Sequence, residues 1–119
     1  MNFVWVFIGG GIGSVLRYLF GVVFSKTSLN LPIATLSANL TSSIIFGIAF
    51  WIFHDKIETS SSVKLFILTG ICGGLSTFST FSFETFELFK QQQYVWASAN
   101  IIINTSLCLL IFYIFSKLF

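Results

Sequence analysis

Charged side chains are scarce in this sequence, and their scarcity indicates whether the chain is surrounded by water or by lipid. Aspartate, glutamate, lysine and arginine make up 8% of the 119 residues, whereas hydrophobic residues make up 55%. A soluble domain carries about 25% charged residues, so water is not the main solvent of this chain. The net charge of +2 is too small and too scattered to indicate a nucleic-acid partner. The composition predicts an integral membrane protein.

Residue patterns that support catalysis are also missing. The only histidine, His54, stands beside Asp55 in a polar stretch, and the sequence contains no nucleophile–base pair, metal cluster or phosphate-binding loop. Cys72 and Cys108 lie in apolar segments without the spacing of a metal site, so both are expected to be small buried side chains. The sequence therefore indicates that the protein is not an enzyme.

Four apolar segments are long enough to cross a bilayer, which takes about 20 residues per helix. They cover residues 3–24, 31–53, 63–89 and 94–115, with short polar stretches between them. The prediction is an all-α membrane protein in which residues 1–119 form one four-helix transmembrane domain. Because four helices of this length enclose little space, we expect an oligomer with its function at or beside the interface.

The lysines do not decide the orientation of the chain. One side of the membrane would carry Lys56, Lys64 and Lys117, and the other side Lys26 and Lys90. This is a weak bias under the positive-inside rule. Two explanations stay open: a small protein with few charges, or dual topology, in which copies insert both ways or pair with an oppositely oriented partner.

The third segment contains a stretch that is unusual for a membrane helix, GICGGLSTFSTFSFE (70–84). Its glycines, serines and threonines lower helix propensity at mid-depth, and irregular backbone is tolerated there only where protein or water satisfies it. We therefore predict a helix that is broken near residues 73–79. The carbonyl oxygens freed by such a break, grouped at a two-fold axis, suit a hard cation such as Na⁺.

Aromatic rings and hydroxyls alternate after the glycines of this stretch. The positive ring edges of Phe78 and Phe81 and the hydroxyls of Ser79 and Thr80 are able to face an anion in a dry pore. Ordinary packing is the alternative for the rings. Glu84 follows, and its carboxylate would repel anions unless it is neutralised or turned aside.

The first helix has a stripe of glycines interrupted by the only arginine. Gly9, Gly13, Arg17 and Gly21 recur every four residues and share one face. Glycines of this kind let another backbone approach closely. Arg17 has three open roles: snorkelling to the interface, attracting anions at a vestibule, or clamping an acceptor-rich helix end.

Three amides lie within the other spans. Asn39 in the second helix either bonds helices together or donates its NH₂ group to a passing anion. Asn100 and Asn104 stand four residues apart on one face of the fourth helix, where interhelical bonding is the favoured role.

Three stretches together resemble the Fluc fluoride channels, also called CrcB: GGGIGSVLRY (9–18), TLSANLTSSIIFG (35–47) and the stretch at 70–84. The resemblance covers nearly the whole chain in order. It implies an antiparallel dimer in the bacterial plasma membrane that passes fluoride passively out of the cell through two pores. It also implies a structural Na⁺ at the dimer centre. The second subunit would be an identical copy or a paralogue.

The resemblance also implies roles for individual residues. The backbone carbonyls of Gly73 and Ser76 would bind the Na⁺, while Arg17 and Glu84 match positions with a vestibule or structural role. The residues that match the fluoride pore are Phe78, Phe81, Ser79, Thr80 and Asn39.

This sequence departs from the family pattern at several positions. Ser76 replaces a usual threonine, Ala34 and Ser42 stand where glycine is common, and Asn100 stands where tyrosine is common. The last departure leaves the role of Asn100 open.

Two functions of other classes compete with a channel. A small dual-topology multidrug transporter needs a membrane-embedded carboxylate near mid-span, whereas the first helix offers Arg17 and no acid. A non-conducting membrane assembly subunit would use its polar residues only to bridge helices. Nothing in the residues themselves separates fluoride from other small anions, so that choice rests on the resemblance.

Overall fold

The computed structural model describes residues 1–26, 31–53 and 61–118, and the regular structure in these ranges is helical. His54, Asp55 and Lys56 lie outside the described residues. In chain order the elements are α1 (Asn2–Val23), α2 (Ile33–Phe53), α3 (Ser61–Lys64), a π-helical segment (Leu65–Cys72), α4 (Gly73–Leu75), α5 (Phe78–Lys90) and α6 (Tyr94–Ser116).

Four helical stretches are long and apolar enough to cross a membrane, which confirms the predicted fold class. They are Asn2–Val23, Ile33–Phe53, Ser62–Lys90 and Tyr94–Ser116. The third stretch has 29 residues, more than a straight span needs, and it is broken between α4 and α5. The protein is therefore a multi-pass membrane protein with a bent third span.

Glycines bring α1 into backbone contact with the third span. A Cβ atom on Gly9 would lie 2.9 Å from the Cα of Gly70, and one on Gly13 would lie 2.8 Å from the backbone nitrogen of Leu75. The close approach predicted for the glycine stripe is thus present at these two positions. At Gly21 a Cβ atom would meet nothing within 4 Å, so this glycine takes no part in the contact.

A tight turn joins α5 to α6. Gln92 has a φ of 61°, in the left-handed region that glycine usually occupies at this position. The backbone N–H of Gln93 donates to the carbonyl of Leu88 at 2.8 Å, and that of Gln92 donates to Phe89 at 3.0 Å. These two bonds form a Schellman motif, which ends α5 and sets α6 beside it.

The described residues form a thin molecule with a partly polar interior. Its principal extents are 51 × 32 × 20 Å, and the shortest is only about two helix diameters. Leu75 and Asn100 are the largest side chains that are fully buried. An interior this shallow has little room for a pathway enclosed by one chain, which agrees with the expectation of an oligomer.

The glycine contact predicts a sharp difference between two alanine variants. Gly13→Ala should lower the free energy of unfolding by about 1–3 kcal/mol, because its Cβ meets backbone that must move. Gly21→Ala faces open space and should change that free energy little. Unfolding in detergent micelles, followed by circular dichroism, measures both. Equal stability of the two variants would contradict the packing described.

Candidate functional site

The break in the third span consists of two extended residues. Ser76 has φ −93° and ψ 144°, and Thr77 has φ −147° and ψ 126°, both far from helical values. The Thr77 and Ser79 hydroxyls lie 2.9 Å apart at the start of α5. The interruption is shorter than the predicted range of 73–79, because α4 keeps Gly73–Leu75 helical.

The carbonyl of Cys72, one turn before the break, accepts three hydrogen bonds. The donors are the backbone N–H of Ser76 at 3.1 Å, the Ser76 hydroxyl at 2.9 Å and the Ser42 hydroxyl of α2 at 3.1 Å. Cys72 in turn directs its thiol at the Ser42 carbonyl, with 3.6 Å between sulfur and oxygen. Helix α2 is therefore tied to the end of the π-helical segment in both directions.

Arg17 binds a second carbonyl, two residues after Cys72. Its Nε donates to the carbonyl oxygen of Gly74 at 3.2 Å. Of the three roles left open for Arg17, this geometry is that of a clamp on an acceptor-rich helix end. A cation beside the C-terminal end of a helix also complements the helix dipole.

Three carbonyls at the break remain without such partners. Among the described residues, no hydrogen bond from a side chain or from backbone outside the helices reaches the carbonyl oxygens of Gly73, Leu75 and Ser76. Gly73 is exposed, and a Cβ atom placed on it would meet nothing within 4 Å. The last carbonyls of a helix need a hydrogen-bond donor or another partner from outside the helix, so these oxygens are available for an external group.

A groove of about 320 Å³ opens beside the break, between α2, α5 and α6. Phe78 and Phe81 line it with their ring centroids 5.7 Å apart and their planes at 40°. The other lining residues are Asn39, Ser43, Ser76, Thr77, Asn104, Thr105, Cys108 and Leu109. Of the five predicted pore residues, three therefore share the groove. Ser79 and Thr80 are not among its lining residues, and their pore role stays a prediction.

Two amides meet in the wall of this groove. The Asn39 Nδ2 atom donates to Asn104 Oδ1 at 3.1 Å, so Asn39 does bond α2 to α6. Asn104 is 5% exposed, yet its own Nδ2 has no hydrogen-bond partner among the described residues. Buried polar atoms are rarely left unpaired. Asn104 thus accepts the interhelical bond expected from its position, and its free donor had no signal in the sequence.

The carboxylate of Glu84 is turned away from the groove. It accepts a short hydrogen bond from the Thr35 hydroxyl of α2. Glu84 and Glu87 line a second cavity of about 330 Å³, near the first turn of α2. Glu84 is not among the residues that line the groove, and its vestibule or structural role stays a prediction.

Asn100 makes a separate interhelical contact. Its Nδ2 donates to the Thr85 hydroxyl at 2.9 Å, and that hydroxyl donates to the Phe81 carbonyl at 2.8 Å. Asn100 is 1% exposed and does not line the groove. In this structure it bonds α6 to α5 and supports the backbone of Phe81.

The side chains of the described residues do not form a metal site. In the ranges that the structure describes, no group of three or more His, Cys, Asp or Glu side chains is placed to hold a metal ion. Cys72 and Cys108 are free thiols; Cys72 is buried as predicted, and Cys108 is half-buried at the groove.

Comparison with known proteins decides the family. The family model described as CrcB-like protein, Camphor Resistance (CrcB), matches residues 4–115. The chain belongs to the CrcB family. The match includes α1, the broken third span and the groove, which confirms the resemblance based on the three sequence stretches.

Relatives in this family are similar over most of their length. A protein named Fluoride-specific ion channel FluC from Serratia proteamaculans is 43% identical over 99 residues, which cover 83% of this chain and 78% of the relative. Fluoride-specific ion channel FluC 1 from Yersinia pseudotuberculosis is 41% identical over 101 residues, covering 85% and 80%. The FluC protein of Salmonella arizonae is 43% identical over 99 residues, covering 83% and 78%.

The Thr35–Glu84 contact predicts an energetic coupling between α2 and α5. In a double-mutant cycle of Thr35→Val and Glu84→Met, we expect a coupling of about 1 kcal/mol in the free energy of unfolding in micelles. Glu87→Met is the matched control, because Glu87 lines the same cavity and has no hydrogen bond to Thr35. Its effect should add to that of Thr35→Val. A coupling near zero for Glu84 would show that the hydrogen bond contributes nothing.

Proposed function

We propose that this CrcB-family chain forms a fluoride-selective ion channel that exports fluoride passively across the bacterial plasma membrane. The bacterial relatives carry the name fluoride-specific ion channel. The observation that supports a conducting role most strongly is the groove in which two phenyl rings lie beside an unpaired, buried amide donor. Membership in this family also agrees with the expectation that the chain is not an enzyme.

The groove offers contacts of graded strength to a small anion. Asn104 lines the groove, and its buried Nδ2 is a hydrogen-bond donor for which no acceptor among the described residues competes. Phe78 and Phe81 supply ring edges, which are weakly positive. Conduction needs binding that is favourable enough for entry and weak enough for exit. One neutral donor and two ring edges satisfy this condition better than a fixed cation would.

The pore is completed, in this proposal, by a second subunit in antiparallel orientation. The chain is only 20 Å across in its shortest dimension, and Phe78 is 78% exposed although it belongs to the groove. An exposed ring on an open groove leaves one wall missing. A second copy, or a paralogue, would cover that wall and create two pores by symmetry.

The carbonyls without donors at the break would serve as ligands for a structural Na⁺ at the centre of this dimer. A hard cation prefers oxygen ligands, and broken membrane helices coordinate Na⁺ through freed carbonyls. Gly73 and Ser76 each have such a carbonyl, for which no donor from the described part of the chain competes. When bound, the ion would neutralise the mutual repulsion of carbonyls brought together from two subunits.

Replacing a ring of the groove tests the function. Phe81→Ile keeps apolar bulk and removes the positive ring edge, so fluoride efflux from proteoliposomes should fall by about tenfold or more, which corresponds to about 1.4 kcal/mol of barrier. Phe78→Ile should also lose flux. Phe86→Ile is the matched control on α5, because Phe86 lines neither cavity and is 60% exposed. Normal flux in both groove variants would place the pore elsewhere.

Replacing Gly73 tests the centre of the dimer. Within one subunit a side chain at Gly73 meets nothing, so Gly73→Val should leave the subunit folded. We expect it to abolish the dimer or to reduce flux by about tenfold or more, because the valine methyls would occupy the space beside the carbonyls. Gly21→Val is the control at another open glycine. Cross-linking in micelles and efflux measure the two effects, and an active, dimeric Gly73→Val would contradict the placement.

A further inference from the structure

The hydroxyls of two serines converge on a single backbone carbonyl next to the break. Ser42 comes from α2 and Ser76 from the break itself, and both donate to the carbonyl oxygen of Cys72, at 3.1 and 2.9 Å. Ser42 and Cys72 are each 4% exposed. In a membrane interior such bonds have no water to replace them.

The bonds determine which carbonyls stay free. Cys72 is held by the two serines, and Gly74 is held by Arg17. The carbonyls of Gly73, Leu75 and Ser76 have no such donor among the described residues. A serine hydroxyl that bonds back to the carbonyl four residues earlier also bends a helix. The hydroxyl of Ser76 thus ties Ser76 to the preceding helical turn, although the backbone of Ser76 is extended and its carbonyl no longer follows the helix.

We propose that Ser42 and Ser76 are positioning residues for the cation site: by fixing the Cys72 carbonyl they hold the Gly73 and Ser76 carbonyls in the arrangement that binds Na⁺. This inference rests on the proposed function, in which those two carbonyls are the ligands. Ser42 acts through Cys72 and does not touch the ion. Through this hydroxyl, the position of α2 affects the affinity of the site for Na⁺.

The test is the dependence of thermal unfolding on Na⁺. A ligand that binds only the folded protein raises the melting temperature with its concentration. Melting of the purified full-length protein in detergent would be followed over a Na⁺ series, with choline keeping the ionic strength constant. Wild type should show a Na⁺-specific rise. Ser42→Ala and Ser76→Ala should each shift the midpoint of that rise to about two- to tenfold higher Na⁺, as expected for the loss of one buried hydrogen bond.

Two controls separate positioning from a general loss of stability. Ser76→Thr keeps the hydroxyl and should keep the wild-type midpoint. Ser37→Ala removes a half-buried serine of α2 that has no assigned hydrogen bond among the described residues, and it should also keep the midpoint. Ser42→Gly, which takes up less room, replaces Ser42→Ala if the alanine variant does not yield folded protein.

Three outcomes of the melting experiment would contradict the positioning role of the serines. A Na⁺ response in wild type with unchanged midpoints in the Ser42 and Ser76 variants overturns the inference alone. A lower melting temperature at every Na⁺ concentration with no shift in the midpoint gives the serines a structural role only, and also overturns it. Absence of a Na⁺-specific response in wild type overturns the Na⁺ site in the proposed function, and the inference falls with it.

Discussion

The structure depends on one constraint: a helix is interrupted at membrane depth, and its backbone polar groups must still find partners. Two extended residues, Ser76 and Thr77, break the third span. Without water, each unpaired backbone group there would cost several kcal/mol. The neighbouring helices meet this cost with side chains, since Arg17 of α1 and Ser42 of α2 both donate to carbonyls just before the break. The break therefore determines how the bundle is assembled around it.

The second helix distributes these contacts along one face. Thr35, Asn39 and Ser42 recur at helical spacing, and they bond in turn to α5, to α6 and to the π-helical segment. Three of the polar residues in this span, which is unusually rich in hydroxyls for a membrane helix, are thereby explained by the partners they bind. The same face supplies Asn39 to the groove, so the bonds that hold the bundle together also build its polar wall.

Much of the architecture was predictable from the sequence, because the signals are local. Segment length and hydropathy predicted four spans, and the glycines and hydroxyls of 70–84 predicted the break. The free donor on Asn104 was not predictable, since it depends on which partner the Asn39 amide selects in three dimensions. The π-helical segment and the Ser42–Cys72 bonds were missed for the same reason. They arise from packing between distant stretches, which periodicity and composition do not report.

The central claim is that this chain, paired with a second copy of itself, conducts fluoride through a pore built from its own groove. The most direct measurement is ion efflux from proteoliposomes that contain only the purified protein, with fluoride- and chloride-selective electrodes and equal outward gradients. The account predicts rapid fluoride efflux without an energy source, while chloride is retained. Retention of fluoride, or loss of chloride as fast as fluoride, would contradict it.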